Sequence, residues 1–169
     1  LEYSSADEAV DGTVWLSRFP NLVVTRTFSK IYAIAGLRVG YALSSPEVAD
    51  LLNRARHPFN VNLPGLAAAE VALADQAHVQ ATADLNRQGM AQLLDGLKAL
   101  GLNSLPSRGN FLAVNMQQSA QPLFEALLRE GVIVRPVGAY GMGEFLRVSI
   151  GTAEENQHFL DALNKVLTA

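Results

Sequence analysis

The stretch TRTFSKIYAIAGLRVGY, Thr25 to Tyr41, sets Lys30 and Arg38 eight residues apart in surroundings that are otherwise apolar or hydroxylated. Thr27 and Ser29 add two hydroxyls on alternate positions just before the lysine. A lysine past the end of a strand is commonly a solvated surface residue. Packed against a core, its amine becomes a competent nucleophile toward a carbonyl carbon. Arg38 stands between Leu37 and Val39 in a run that reads as an apolar strand, where a guanidinium requires an anionic partner. A carboxylate from elsewhere in the chain would serve, and so would a phosphate, whose oxygens suit the planar fork. The two hydroxyls can donate to the same anion or simply form a turn. Much later, Arg147 alternates with Leu146, Val148 and Ile150, so it points away from the core face of its strand, toward solvent or a cleft.

The elements that hold these residues alternate between strand-like and helix-like blocks, the pattern of α/β or α+β layering. Asn21–Thr25 and Leu37–Leu43 read as buried strands. Ser44, Pro46 and Glu47 signal a helix start, with Val48, Leu51, Leu52 and Ala55 on one face and Pro58 as the stop. A second helix opens near Asn62, carrying Leu63, Leu66, Ala69 or Glu70, and Leu73. Helix continues or restarts through a stripe of Met90, Leu93, Leu94, Leu97 and Leu100, with Gly101 at the C′ position. Beyond Gly101, GNFLAVNM, VIVRPV and FLRVSIG are strand-like. Ser119 and Pro122 open a helix with Leu123, Leu127 and Leu128, closed by Gly131. Thr152 and Glu155 form a capping box for a last helix with Phe159, Leu160, Leu163 and Val166. The second half is thus expected to be a small sheet covered by helices.

Composition narrows the chemistry. Of 169 residues, 49% are hydrophobic and 17% charged, so the chain folds rather than staying disordered. Thirteen Lys and Arg against sixteen Asp and Glu, with no basic run, argue against a nucleic-acid partner. No apolar run nears the roughly 20 residues that span a bilayer, and the opening LEYSSADEAVDG lacks the marks of a signal peptide. No membrane association and a cytoplasmic location are expected. With no cysteine and no paired ligand spacing among His57, His78 and His158, no metal site is expected. The acidic, serine-containing opening reads as the middle of a loop in a longer protein.

TFSKIYAIAGLRVGY resembles the lysine segment of fold-type I pyridoxal-phosphate aminotransferases, in which an arginine follows eight residues after the lysine. RHPFNVNLPGLAAAEVAL and GVIVRPVGAYGMGEFLRVSIGTAEEN are similar to the histidinol-phosphate aminotransferases in particular. The resemblance implies an α/β fold, the C-terminal part of a PLP-dependent transferase fold: the last strands of the large-domain sheet, the interdomain helix and the α/β small domain. It implies residues 1–70 as the C-terminal part of the large domain and 71–169 as the small domain. It implies pyridoxal 5′-phosphate as cofactor, with Lys30 as the catalytic, Schiff-base residue and Thr27, Ser29 and Arg38 on the cofactor phosphate. Arg135 and Arg147 match the arginines that bind the substrate's anionic groups, and Asn110 either lines the same cleft or serves the turn at Gly109. The implied reaction is transamination between L-histidinol phosphate and 2-oxoglutarate, giving glutamate, in histidine biosynthesis, by a homodimer.

The family's upstream phosphate loop, ring-stacking aromatic, asparagine and pyridine-pairing aspartate are not found in these residues. Only about the C-terminal half of the family's fold is matched, and the chain alone is expected to be inactive. Threonine-phosphate decarboxylase, another fold-type I enzyme, shares the Lys and Arg spacing. So does the aminotransferase-like effector domain of certain transcription regulators.

Overall fold

The computed structural model describes residues 2–4 and 11–168, so the loop expected at the opening falls largely outside the described residues. The chain divides into two compact units, Leu1–Ala83 and Asp84–Ala169.

The first unit is built on an antiparallel pair, β1 (Val23–Thr27) and β2 (Gly40–Ser44), in the register Thr27↔Gly40 and Val23↔Ser44. Both strands lie further along the chain than expected. Leu37 belongs to a 3-10 turn and Arg38 takes a left-handed conformation, φ 57°, so pairing cannot begin before Gly40. Gly40 is required there, because a Cβ would stand 2.8 Å from the Arg26 carbonyl oxygen.

Helix α1 (Pro46–Ala55) is capped by Ser45 rather than Ser44, since Pro46 occupies the first turn and the Ser45 hydroxyl accepts from Val48 N–H at 3.4 Å. Helix α2 (Leu63–Ala74) starts at Asn62 as expected, its side chain accepting from Gly65 N–H at 2.7 Å. Its buried face is Gly65 and Ala69, not the leucines. A Cβ on Gly65 would lie 2.6 Å from Val39 Cγ2, so only small residues allow the helix to approach the β1–β2 loop this closely. The anticipated stripe of Leu63, Leu66 and Leu73 is exposed.

Helix α3 (Gln76–Ala99) ends with Gly101 at φ 72°, where Leu102 N–H reaches the Leu97 carbonyl at 2.9 Å and Gly101 N–H the Lys98 carbonyl at 3.1 Å, the Schellman stop. The second unit then lays down β3 (Asn103–Ser104), β4 (Phe111–Asn115), α4 (Ala120–Arg129), β5 (Arg135–Val137), β6 (Met142–Ser149) and α5 (Ala153–Thr168). The strands form one antiparallel sheet in the order β3-β4-β6-β5. Leu112, Val114, Leu146 and Val148 point from it into a core closed by Leu93 and Leu97 of α3, Leu123 and Leu127 of α4, and Phe159, Leu160 and Leu163 of α5. The expected capping box is made: Thr152 N–H donates to Glu155 Oε2 at 2.8 Å, and Glu155 N–H to Thr152 Oγ1 at 3.3 Å.

Among the described residues, the buried polar side chains Asn86 and Asn156 are both hydrogen-bonded. Asn156 accepts from Gly151 N–H at 3.0 Å and donates to Gln92 Oε1 and the Gly151 carbonyl, both at 3.2 Å. This ties α3 to the turn between β6 and α5. Gly89 makes the tie possible, because a Cβ there would fall 2.6 Å from Ile150 Cγ2 and 2.8 Å from Asn156 Nδ2. Among the described residues, no helix is long and apolar enough to cross a membrane.

Candidate active site

Phe28 to Val39 form the connection between β1 and β2, closed at its base by Phe28 N–H donating to the Val39 carbonyl at 3.2 Å. Apolar and polar residues separate cleanly along it. Phe28, Ile31 and Val39 are buried, and Tyr32, Ile34 and Leu37 are half-buried; Lys30 and Arg38 are exposed. Phe28 stacks at a tilt on Tyr32 and Tyr41, ring centroids 5.0 and 5.7 Å away. Burial, with the nearby Glu2 and Tyr41 adding to it, raises the Tyr32 hydroxyl above its ordinary pKa of 10.0.

The backbone that presents Lys30 is set by a turn, Ala33 N–H donating to the Lys30 carbonyl at 2.9 Å, and by Ala33 in the left-handed region at φ 59°. Two non-glycine residues at positive φ in one short connection, Ala33 and Arg38, are a cost that surrounding contacts must hold in place. They do so from α2 and α3. Asn62 Nδ2 donates to the Leu37 carbonyl at 2.8 Å, and His78 Nε2 lies 3.1 Å from the Ile31 carbonyl. Neither supporting role was read in the sequence. Asn62 was identified only as a helix start, and a capping asparagine with a second, long-range bond leaves no local pattern.

Thr27 Oγ1 accepts from Ser29 N–H at 3.1 Å, which leaves the threonine proton free to donate. The Ser29 hydroxyl has no partner among the described residues. Arg38 is not the strand residue anticipated. It follows the 3-10 turn, exposed, with Nη1 donating to the Ala35 carbonyl at 2.8 Å and no carboxylate beside it among the described residues. Nor is Lys30 shielded from water in this chain; its amine makes no hydrogen bond or ion pair among the described residues. The contrast is Arg26, whose Nη2 sits 2.6 Å from Asp11 Oδ1. One cation of the neighbourhood is neutralised internally. Among the described residues, Lys30 and Arg38 have no such carboxylate partner.

The second unit holds the other pair. Arg135 on β5 and Arg147 on β6 are direct cross-strand partners. That register puts their Cβ atoms about 5 Å apart on the same face of the sheet. The face is the one opposite the core, since Leu146 and Val148 are buried while Arg135 is exposed and Arg147 half-buried. No acid pairs with either arginine among the described residues. Arg147 instead lies over the ring of Phe111, its Cζ 5.1 Å from the ring centroid. Asn110 contributes its backbone, the carbonyl accepting from Ile150 N–H at 3.0 Å. Phe111 was not singled out in the sequence. The signal was available, because the alternation that buries Leu112 and Val114 puts a large aromatic on the polar face.

The residues anticipated for one site therefore gather in two groups: Thr27, Ser29, Lys30 and Arg38 on one connection, and Arg135 with Arg147 on one sheet face. Each group is anion-seeking, and the first also offers a primary amine.

Residues 2–163 match the family described as aminotransferase class I and II. Histidinol-phosphate aminotransferase 2 of Pseudomonas aeruginosa is 60% identical over 167 residues, covering 99% of this chain and 45% of the relative. The chain thus spans about half the length of the curated relatives it matches. The crystal structure of histidinol-phosphate aminotransferase from Sinorhizobium meliloti in complex with pyridoxal-5′-phosphate superposes with a TM-score of 0.87 at 30% identity, over 99% of this chain and 46% of that one. L-threonine-O-3-phosphate decarboxylase from Porphyromonas gingivalis shares the fold, with a TM-score of 0.88 at 22% identity over 100% of this chain and 53% of that one. Motif, fold and family match agree, and the chain belongs to the aminotransferase class I and II family.

Proposed function

We propose that this chain is the C-terminal part of a pyridoxal-phosphate-dependent aminotransferase that moves an amino group between L-histidinol phosphate and 2-oxoglutarate in histidine biosynthesis. Residues 1–70 complete the large cofactor-binding domain and 71–169 form the small domain, with the division in the α2–α3 stretch. The observation that carries the reading is the direct register of Arg135 with Arg147, with no ion pair to either among the described residues. Like charges placed opposite one another on a sheet are unfavourable unless an anion is bound between or beside them. The 60% likeness to a histidinol-phosphate aminotransferase supports the choice of substrate.

The residues present fit the cofactor by the chemistry of their donors. Lys30 holds its aldehyde carbon, since an amine is the side chain able to bond a carbonyl carbon reversibly. Arg38, Thr27 and Ser29 hold its phosphate, through a charge-assisted fork and two hydroxyls. When bound, pyridoxal phosphate supplies an electron sink for charge developing at the substrate's α-carbon. Lys30 accepts and returns the proton at that carbon as general base and acid. Arg135 and Arg147 bind the anionic groups of the substrates, the phosphate of one and the carboxylates of the other. Local field and net charge are separate quantities, so a chain of net charge −3 accommodates anion sites. The complete protein acts as a cytoplasmic homodimer, and the 169-residue chain alone is inactive.

The test uses the complete protein. With pyridoxal phosphate added, the wild type is expected to show the visible absorbance of lysine-bound cofactor and Lys30→Ala to lose it. An unchanged spectrum in Lys30→Ala would remove the assignment. Turnover of histidinol phosphate with 2-oxoglutarate supports the substrate choice. Turnover of threonine phosphate alone, with loss of carbon dioxide, would transfer the reading to the decarboxylase chemistry of the family's fold.

A further inference from the structure

We propose that Phe111 is a positioning residue for substrate binding: its ring fixes the plane of the Arg147 guanidinium and holds it apart from Arg135. This rests on the reading of Arg135 and Arg147 as substrate-anion residues.

The neighbours of Arg147 on the sheet make the case. On one side, β5 presents Arg135 directly opposite, a like charge. On the other, β4 presents Ala113 directly opposite. A methyl group leaves the space above β4 open, and a long side chain on β6 reaches across it to the diagonal residue. That residue is Phe111, whose own partner is Ser149. The contact of 5.1 Å between Cζ and the ring centroid is where this crossing ends. Repulsion from Arg135 and attraction by the ring's negative face act in the same direction, so the guanidinium has one favoured place.

The backbone that carries the ring is itself anchored. The Ser107 hydroxyl donates to the Phe111 carbonyl at 2.7 Å and accepts from Gly109 N–H at 3.2 Å. The Gly109 carbonyl accepts from the buried Asn86 Nδ2 at 3.2 Å, which ties this loop to α3. A mobile aromatic could not orient a guanidinium, whereas one at the start of a strand paired along its length with β6 can. The ring nevertheless remains 41% exposed on the face opposite the core, so burial in this unit does not account for a phenylalanine there. An arginine with its plane preset loses less freedom when it forms a two-pronged bond to a carboxylate or phosphate.

The experiment measures steady-state kinetics of the complete, cofactor-loaded protein with histidinol phosphate and with glutamate as amino donors. Phe111→Leu is expected to raise KM for both donors by about three- to thirtyfold with kcat within about twofold, the pattern of lost uniform binding. Phe111→Tyr and Phe111→Trp keep an aromatic face and are expected to restore KM. In an Arg147→Lys background, Phe111→Leu should add little, because the two substitutions remove one interaction. An unchanged KM in Phe111→Leu beside a raised KM in Arg147→Lys overturns the positioning role and leaves the anion site intact. Equal effects of Phe111→Leu in both backgrounds, or equal losses with Leu and Tyr, also overturn it. An unchanged KM in Arg147→Lys removes the anion-site reading itself.

Discussion

The two units make opposite use of their apolar residues. In the second, sixteen buried side chains close around one face of a four-stranded sheet, and Leu93, Leu127, Leu146 and Leu163 are wholly inaccessible. In the first, among the described residues, the buried cluster is Phe28, Val39 and Ala69, while Leu51, Leu52, Leu63, Leu66 and Val71 stand exposed on helices whose sequences are plainly amphipathic or apolar. Exposed apolar area on this scale is characteristic of a surface that meets another one. The contrast teaches that the second unit carries its own reason to fold. The first leaves most of its helical leucines outside the core that its described residues make.

The contrast breaks most directly by separation. Residues 76–169, which keep α3 whole, are expected to unfold in urea as a single cooperative transition followed by circular dichroism, and residues 1–75 to show none. A cooperative transition in 1–75 would erase the distinction. The next effect is local. In the 169-residue chain, Leu127→Ala should lower stability by about 2–5 kcal/mol, and Leu52→Ala should change it by no more than about 0.5 kcal/mol. In the complete protein the same Leu52→Ala should become destabilising, and urea midpoints of both proteins decide it.

The smallest effect concerns the electrostatics of the first unit. Asp11 is held below its ordinary value of 3.8, chiefly by the backbone N–H of Thr13, then by the Thr13 hydroxyl and by Arg26. A carboxylate with a lowered folded pKa contributes stability that is present above 3.8 and lost as the pH falls through the folded value. Asp11→Asn should flatten this acid limb slightly. The measurement is urea stability of the complete protein from neutral pH down to about pH 2, and a limb identical in both proteins would show that the carboxylate contributes nothing.

What the sequence disclosed divides between local and long-range determinants, in both units. Helix ends governed by local chemistry were legible: Asn62 as a cap, Thr152 with Glu155 as a capping box, Gly101 and Gly131 as left-handed stops. So was the outward direction of Arg147, because period-two alternation is a property of one strand. Burial of α2 was not legible, because its leucines dominate the apolar pattern yet stay exposed, while the buried face is Gly65 and Ala69, small enough for closeness to Val39. The conformation of Arg38 was hidden for another reason. Its run looks like a strand in composition, yet the turn at Ala35–Leu37 fixes the backbone. The pairing of Arg135 with Arg147 could not be seen at all, since the β5–β6 register depends on the irregularity between Pro136 and Val137.

That pairing also says something about how such a sequence is maintained. Two cations in register, with no ion pair to either among the described residues, are an unfavourable placement on a sheet. Selection for a robust fold alone would replace either arginine by a neutral residue and gain from it. On the proposed reading, their joint presence trades stability for recognition of an anion.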